Sequence, residues 1–523
     1  MDNEEQNTQN DGDAGEVFPL ESVRSGRVRK SSASFTNSVV SLGGGSALAQ
    51  VIGILAMPII ARLFLPEAFG TAALFLSFSA VIGCLATLRY EMTIVLPGED
   101  AGAANILVLC LFIVGLVTAI SCFLTAFLGI EVLRVFNAPG LIPYRWLFPV
   151  SIFITGCSQT LRYWNTRNKY FNRLAAARVA GSVFKSLGLT GSGLSGFTSG
   201  GHMIIVRLIG KVIPLLLYSV FLLRYDLEFI HRNCHPSQIW AWAKRYKRFP
   251  LIDSWTALLN VFSVQVAVMV LMKYFGSRVA GFYSQSLLLL WMPASLVGAA
   301  ISQVSFQRFA DHHASGKDIS LMVGGLYKHL FSLGFLPFAM LVLIGPDLFG
   351  AVLGLNWVES GVFSSMLAPW IFINFLYSPL SSVIYVFEKQ HANLVFSITL
   401  ITSRLTTLLF GACVLKDSRL TILLYGLVNL AIYLSVSVYL MKCARVSLKG
   451  LGVHAGRTIL LASPFLGLVV LSKWALKLPD TLLLVIVILL SLTYLSIIIS
   501  RSQELRAALV SILKKSTARK NKR

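Results

Sequence analysis

Four basic residues lie inside long apolar runs of this 523-residue sequence, where charged side chains are rare: Lys185, Arg207, Lys211 and Arg404. A cation at the centre of a bilayer costs roughly 2.5–3.5 kcal/mol on insertion scales, so each of them needs a compensating partner. Arg207 and Lys211 are four residues apart, and on a helix they share one face, where their charges repel. At a rise of about 1.5 Å per residue, Lys211 and Arg404 lie too deep in their runs to reach an interface.

Carboxylates that could pair with these cations are almost absent from the apolar runs. Of the 23 Asp and Glu residues, only Asp253 falls within such a run, and it stands near the end of that run. Buried cations without acidic partners indicate a hydrated cavity with a positive wall, which suits an anionic group of a substrate. The alternatives are that backbone carbonyls or lipid phosphates compensate them, or that the boundaries of the spans are misplaced. We take Lys185, Arg207, Lys211 and Arg404 as candidate substrate-binding residues.

Two other groups of residues could carry chemistry. Arg89 and Glu91, in the segment LRYE at 88–91, stand at the end of a predicted span. We expect them to form an ion pair at the membrane interface; the functional alternative is that they form a gate. His231, Cys234 and His235 stand loosely spaced on a basic loop and lack the spacing of a metal site. No nucleotide-binding glycine motif follows a predicted strand. We therefore expect no metal, no cofactor and no enzymatic activity.

The elements that must position these residues are membrane-spanning helices. Hydrophobic residues make up 55% of the chain and charged residues 13%, against about 25% in a typical soluble domain. The apolar runs have the length of a spanning helix, roughly 20 residues, so the sequence predicts an all-α integral membrane protein. Fourteen spans are predicted, at 36–60, 68–88, 104–129, 144–163, 178–197, 201–223, 251–272, 280–302, 327–345, 362–386, 392–414, 420–441, 456–474 and 479–500.

The distribution of charge predicts the orientation of these spans. The net charge is +22, which in a soluble protein would suggest a nucleic-acid partner. Here the cations flank the spans, so we expect no nucleic-acid binding. The connection at 162–178 holds five cations and no acid, whereas the connection at 346–361 holds two acids and no cation. By the positive-inside rule, both termini are expected in the cytoplasm.

A faint internal repeat divides the spans into halves. Arg62, Phe64 and Gly70 recur with the same spacing and similar chemistry at Lys273, Phe275 and Gly281. Each set falls between the first and second helix of a six-helix half. The offset predicts two halves with the same orientation, related by an axis along the membrane normal.

Several short segments, spread across nearly the whole span region, carry a family pattern. They are SLGGG at 41–45, ARLFLPEAFG at 61–70, LRYE at 88–91, YKRFP at 246–250 followed by Trp255, and GPDLF at 345–349 followed by Asn356 and Trp357. The sequence resembles bacterial lipid-linked oligosaccharide flippases of the polysaccharide transporter and O-antigen flippase family, within the multidrug/oligosaccharidyl-lipid/polysaccharide exporter superfamily. These motifs are diffuse, so they specify the family better than the substrate.

The resemblance implies a fold and a function. It implies two six-helix lobes around a central cavity, two further C-terminal helices, and alternating access between the lobes. The substrate would be an undecaprenyl-pyrophosphate-linked oligosaccharide, the repeat unit of a surface polysaccharide such as lipopolysaccharide O-antigen or exopolysaccharide. It would be flipped to the periplasmic leaflet of the bacterial inner membrane, with cavity cations receiving the pyrophosphate. Membrane lipids, a polysaccharide polymerase and other export machinery are the partners implied.

The expected domain boundaries follow from the spans and the resemblance. They are a disordered cytoplasmic tail at 1–34, a first lobe at 35–223, a basic cytoplasmic linker at 224–250, a second lobe at 251–441, two additional helices at 456–500 and a basic cytoplasmic tail at 501–523.

Three other functions compete with this interpretation. A multidrug or cation antiporter of the same superfamily would need embedded carboxylates, of which this sequence has almost none. A membrane-bound polysaccharide polymerase or glycosyltransferase would need paired carboxylates and a large external loop, and neither is visible. An assembly scaffold without transport would give no reason for the intramembrane cations.

Overall fold

The structure is a computed structural model and describes residues 32–315, 318–381, 383–387 and 389–501. This part of the chain forms helices and turns without a strand, which confirms the all-α prediction. Its α-helices are α1 (Ser32–Leu63), α2 (Pro66–Gly83), α3 (Asp100–Val135), α4 (Leu147–Arg167), α5 (Phe171–Leu194), α6 (Gly200–Tyr225), α7 (Leu227–Asn233), α8 (Pro236–Arg245), α9 (Ser254–Ala314), α10 (Ser320–Leu353), α11 (Val358–Leu380), α12 (Val383–Val386), α13 (Gln390–Phe410), α14 (Ser418–Cys443), α15 (Leu448–Val470) and α16 (Asp480–Arg501). The predicted tails at 1–34 and 501–523 lie almost entirely outside the described residues.

The chain is a multi-pass membrane protein. Eleven segments of the described residues are long and apolar enough to cross a membrane. The predicted count of fourteen is not confirmed, for two reasons. The spans at 144–163 and 178–197 correspond to α4 and α5, which are long enough but too polar to qualify by composition. The spans at 251–272 and 280–302 both fall within α9.

Gly276 separates the two arms of α9. Its φ of +83° lies in the left-handed region that favours glycine, and it interrupts the helical backbone of α9. Val264 and Leu288, twelve residues before and after Gly276, line the same cavity. The second arm therefore runs back beside the first, and the two predicted spans are joined by almost no loop.

The helices fall into two groups, which contact each other mainly through α2 and α9. We call α1–α6 the N-lobe and α9–α14 the C-lobe. Within the N-lobe, Ser182 on α5 donates a hydrogen bond to the Ala49 carbonyl on α1 at 2.6 Å. Within the C-lobe, Ser286 on α9 donates to the Ser360 carbonyl on α11 at 2.6 Å. The last two helices pack on α10, where the Tyr494 hydroxyl donates to the Ser332 carbonyl at 2.8 Å.

The segment between the lobes forms α7 and α8, which dock against the N-lobe. The side-chain amide of Asn105 on α3 donates to the Asn233 carbonyl at 2.9 Å and accepts from the His235 backbone N–H at 3.2 Å. The Trp164 indole donates to the carboxylate of Asp226 at 3.0 Å. These contacts fix the segment to the end of the bundle where α4 ends and α5 begins.

The lobes meet at the opposite end of the bundle, which we call the closed end. The Trp357 indole donates to the Ala61 carbonyl at 2.7 Å, and Arg62 Nη2 donates to the Ala351 carbonyl at 2.9 Å. At the same end, α2 and the second arm of α9 approach so closely that a Cβ on Gly281 would lie 1.9 Å from the Pro66 carbonyl oxygen. Only glycine permits such backbone proximity.

Candidate functional site

Close packing of α5 against α6 brings three of the predicted cations together. A Cβ on Gly181 would lie 2.8 Å from the Gly210 carbonyl oxygen, and a Cβ on Gly210 would lie 2.8 Å from the Lys185 Cβ. Small residues at helix interfaces allow this approach in membranes. Lys185 on α5 is thereby held against the turn of α6 that carries Arg207 and Lys211.

Lys185, Arg207 and Lys211 all line a central cavity of about 1170 Å³. The cavity lies between the lobes and is bounded by α1, α2, α4, α5 and α6 on one side and by both arms of α9 on the other. It extends from Arg207, which stands 5.8 Å from the Phe69 ring centroid, to Arg162 on α4 and Arg178 on α5, which lie toward the end where α4 and α5 are joined. Its volume suits a ligand of several hundred daltons or more.

Two further cations line this cavity that sequence reasoning did not select. Arg162 ends the cavity-facing stretch of α4, and Arg178 on α5 donates a hydrogen bond to Ser46 on α1. In the sequence both belong to the basic connection at 162–178, where the positive-inside rule alone accounts for their charges. The signal that could have revealed Arg162 is the polar stripe of α4, where Ser158 and Gln159 precede it at helical spacing.

The wall of the cavity is positive and uncompensated. Among the described lining residues, five are Lys or Arg and none is Asp or Glu. The five are Arg162, Arg178, Lys185, Arg207 and Lys211. Like charges around a partly desolvated space repel, and an anion bound between them removes that repulsion. The arrangement can therefore bind an anionic ligand and disfavours a cationic one.

Other cations of the connection at 162–178 have local partners. Arg167 donates to the carbonyls of Ile94 and Pro97 at 3.1 and 2.8 Å and to the Asp100 carboxylate at 3.1 Å. Arg173 stacks over the Tyr170 ring at 3.9 Å. These residues fix the ends of the helices and do not line the cavity.

Arg404 is placed differently from the other predicted site residues. It is 4% exposed in the interior of the C-lobe and is not among the residues that line the cavity. Its Nε donates to Asn429 Oδ1 at 2.8 Å, its Nη1 donates to Ser263 Oγ at 3.1 Å, and the guanidinium lies 5.5 Å from the Trp370 ring centroid. Neutral acceptors and an aromatic ring thus stabilise this charge. This resembles the alternative to a cavity that the sequence left open, in which neutral groups of the protein compensate a buried cation.

Arg89 and Glu91, the candidate gate residues, lie in the turn after α2. Arg89 Nη1 and Glu91 Oε1 are 3.6 Å apart, and Thr87 donates a hydrogen bond to the other oxygen of Glu91. Arg89 has a φ of +64°, so the pair stands in a tight, left-handed turn. Neither residue lines the cavity, and the geometry is that of a pair that fixes the connection between α2 and α3.

Comparison with known structures identifies the fold. The chain is similar to the structure described as "Lipid II flippase MurJ, inward closed conformation", with a TM-score of 0.66 and 13% identity over 90% of this chain and 99% of that one. It is also similar to an inward-facing multidrug resistance MATE family transporter of the MOP superfamily, with a TM-score of 0.62 and 15% identity over 76% of this chain and 95% of that one. At such identities the likeness shows the fold.

The sequence itself identifies the family. A search of curated proteins found no match. The family described as "Polysaccharide biosynthesis protein" matches residues 59–361, which is more than half of the chain and includes the cationic cavity wall. This match confirms the family resemblance carried by the segments at 61–70 and 345–349. The chain belongs to the polysaccharide biosynthesis protein family.

Proposed function

We propose that this protein flips an undecaprenyl-pyrophosphate-linked oligosaccharide from the cytoplasmic to the periplasmic leaflet of the bacterial inner membrane. The observation that carries the proposal is the cavity wall with five cations and no acid among the described lining residues. A pyrophosphate is a compact group of high negative charge, and Lys and Arg side chains are its usual protein partners. Family membership and the flippase-like fold support a lipid-linked sugar as the cargo.

The proposed orientation places the α4–α5 turn on the cytoplasmic side and the closed end on the periplasmic side. The basic connection at 162–178 and the basic segment carrying α7 and α8 then both face the cytoplasm, as the positive-inside rule requires. In this conformation the cavity reaches the cytoplasmic side. Rocking of the N-lobe against the C-lobe would break the closed-end contacts and expose the same cavity to the periplasm.

The membrane potential favours this direction of movement. A potential that is negative inside drives an anion outward by about 2.3 kcal/mol per charge per 100 mV. The outward movement of a pyrophosphate that remains unneutralised during the crossing would therefore be downhill in free energy. The cations stay with the protein, so the substrate alone changes sides.

Reconstitution of the full chain into liposomes tests the proposal. A fluorescent undecaprenyl-pyrophosphate oligosaccharide is incorporated, and its transbilayer movement is followed by its accessibility to a membrane-impermeant quencher. We expect Lys185→Met, Arg207→Met and Lys211→Met each to lower the initial rate by roughly tenfold or more, since hydrogen bonds to charged groups contribute about 1.5–3 kcal/mol. The matched control is Lys449→Met, which removes an exposed cation of α15 that does not line the cavity.

Two results would overturn the proposal. One is a wild-type protein that leaves the labelled lipid in its original leaflet. The other is a wild-type rate in a folded triple variant that lacks Lys185, Arg207 and Lys211. Movement of a lipophilic cation in exchange for protons, without movement of the labelled lipid, would instead indicate the antiporter alternative.

A further inference from the structure

The two sides of the central cavity differ in charge. All five cations belong to α4, α5 and α6 of the N-lobe. The opposite side is formed by the two arms of α9, and its described lining residues carry no charge at all. A ligand that fills the space therefore meets an ionic surface on one side and a neutral surface on the other.

Beside aliphatic side chains such as Val264 and Leu288, the neutral surface contains groups of the kind that bind carbohydrate. Gln265, on the first arm of α9, presents an amide that can both donate and accept hydrogen bonds. Ser284 and Trp291 lie seven residues apart on the second arm and so fall on one face of that helix. Trp291 lines the cavity and is 36% exposed. An exposed indole face beside amide and hydroxyl groups matches a sugar ring, which has apolar C–H faces and hydroxyl edges.

Polar groups behind this surface lack partners. Both polar atoms of the Gln285 amide are buried without a hydrogen bond among the described residues, and Gln285 borders the cavity. Leaving such groups unpaired in the interior of a protein is destabilising. If the Gln285 side chain turned toward the cavity, a ligand rich in hydroxyl groups could supply partners to its amide, whereas an alkyl chain could not. This favours a sugar over the polyprenyl chain as the occupant of this side.

We infer that the α9 wall, defined by Gln265, Ser284 and Trp291, binds the oligosaccharide of the substrate, while the N-lobe cations bind its pyrophosphate. This inference rests on the proposed function. The N-lobe would then supply affinity for the pyrophosphate, and the C-lobe would supply selectivity for the sugar. The N-lobe contacts would be common to every pyrophosphate-linked substrate, so discrimination between repeat units would reside in the α9 wall.

Two probes separate these roles: undecaprenyl pyrophosphate carrying a single sugar, and the same lipid carrying a neutral oligosaccharide. Flipping of both is measured in liposomes for wild type, Trp291→Leu and Trp291→Phe, with unfolding temperatures to verify folding. We expect Trp291→Leu to lower the rate for the oligosaccharide probe by about five- to tenfold, which corresponds to ~1–1.4 kcal/mol for the lost aromatic contact. The rate for the single-sugar probe should change less than about twofold. Trp291→Phe, which keeps an aromatic face, should restore most of the lost rate.

The charge variant Lys211→Met provides the opposite pattern, with both probes slowed by the same factor. The inference is overturned if folded Trp291→Leu and a second variant, Gln265→Leu, slow both probes equally or slow neither. It is also overturned if a probe with the full polyprenyl chain but no sugar responds to Trp291→Leu as strongly as the oligosaccharide does. A wild-type protein that moves no probe would refute the proposed function itself, and the inference with it.

Discussion

Arg404 shows how a guanidinium in the membrane interior can be stabilised without a carboxylate. Its two hydrogen-bonded nitrogens reach Asn429 and Ser263, which are on different helices of the C-lobe. The Asn429 side chain is itself oriented by a hydrogen bond from its amide to the Tyr425 carbonyl at 2.7 Å. This cation therefore joins α9, α13 and α14, and we expect it to contribute to folding.

Replacement of Arg404 by alanine tests that role. The change leaves Asn429 Oδ1 and Ser263 Oγ without their donor and opens a gap beside Trp370, at a cost of about 1–3 kcal/mol for each unpaired buried group. We expect Arg404→Ala to lower the unfolding temperature of the detergent-solubilised protein, measured by tryptophan fluorescence. Lys211→Met, which removes a cation facing the hydrated cavity, should leave that temperature within a degree or two of wild type. An unchanged unfolding temperature for Arg404→Ala would contradict this assignment.

At the scale of residues, the sequence predicts four cations as a substrate-binding group. Three of them line the cavity, whereas the fourth, Arg404, does not. Lys185, Arg207 and Lys211 could be found because depth in a span is readable from residue spacing. The neutral partners of Arg404 could not be found, because Asn and Ser are common within membrane helices and nothing in their spacing points to one cation. Arg162 and Arg178 were overlooked because they stand near span ends, where cations are expected.

At the scale of elements, the contact between α5 and α6 determines the geometry of the site. Gly181, Gly188 and Gly210 allow these helices to approach within backbone distance, and a Cβ on Gly188 would lie 2.7 Å from the Val206 Cγ1. Any added side chain must push the helices apart. Such a shift would separate Lys185 from Arg207 and Lys211 and so weaken their joint action on one anionic group.

The substitution Gly181→Val tests this dependence. We expect it to lower flipping of the labelled lipid-linked oligosaccharide several-fold and to destabilise the protein by about 1–3 kcal/mol, the usual cost of overpacking. Gly191→Val on the same helix is the matched control, because no atom lies within 4 Å of a Cβ at that position. If both variants retained wild-type flipping, the helix contact would have no part in positioning the cations.

The helices themselves were largely predictable, and the exceptions have physical causes. Every predicted span corresponds to a helix or an arm of one, because apolar runs of this length must satisfy their own backbone groups in lipid. The number of spans differs because α4 and α5 line the central cavity and carry polar side chains there. Gly276 was not recognised as an interruption within one helix, since a single glycine among polar neighbours normally indicates a loop.

At the scale of the whole molecule, the two segments that the sequence predicts to be copies of one repeat contact each other at the closed end. Gly70 and Gly281, matched by the repeat at Arg62 and Lys273, contact each other across the lobes: a Cβ on Gly70 would lie 1.8 Å from the Ser277 carbonyl oxygen and 2.9 Å from the Gly281 nitrogen. The pair of Glu67 and Arg278, at 3.5 Å, lies beside this contact. Equivalent segments of the two halves thus close the cavity at one end.

A methyl group at this contact should favour the conformation in which the closed end is open. We expect Gly281→Ala to increase the distance between spin labels at Leu65 and Leu355, which are 56% and 81% exposed at the closed end, in a cysteine-free background. Pulsed electron spin resonance measures this distance. Gly115→Ala, at a position of α3 with open space around it, should leave the distribution unchanged. A Gly281→Ala distribution identical to wild type would show that the crossing does not limit opening.

The location of the positive wall on a single lobe has a consequence for the protein between transport cycles. Under the proposed function, inorganic phosphate and other small anions would be attracted to the same surface, and they would have to leave before the lipid-linked substrate could bind. Turnover should therefore slow as the ionic strength or the phosphate concentration of the buffer rises, more steeply than for a carrier with a neutral pocket. Kinetic comparisons between laboratories would depend on the counter-ions chosen as much as on the protein.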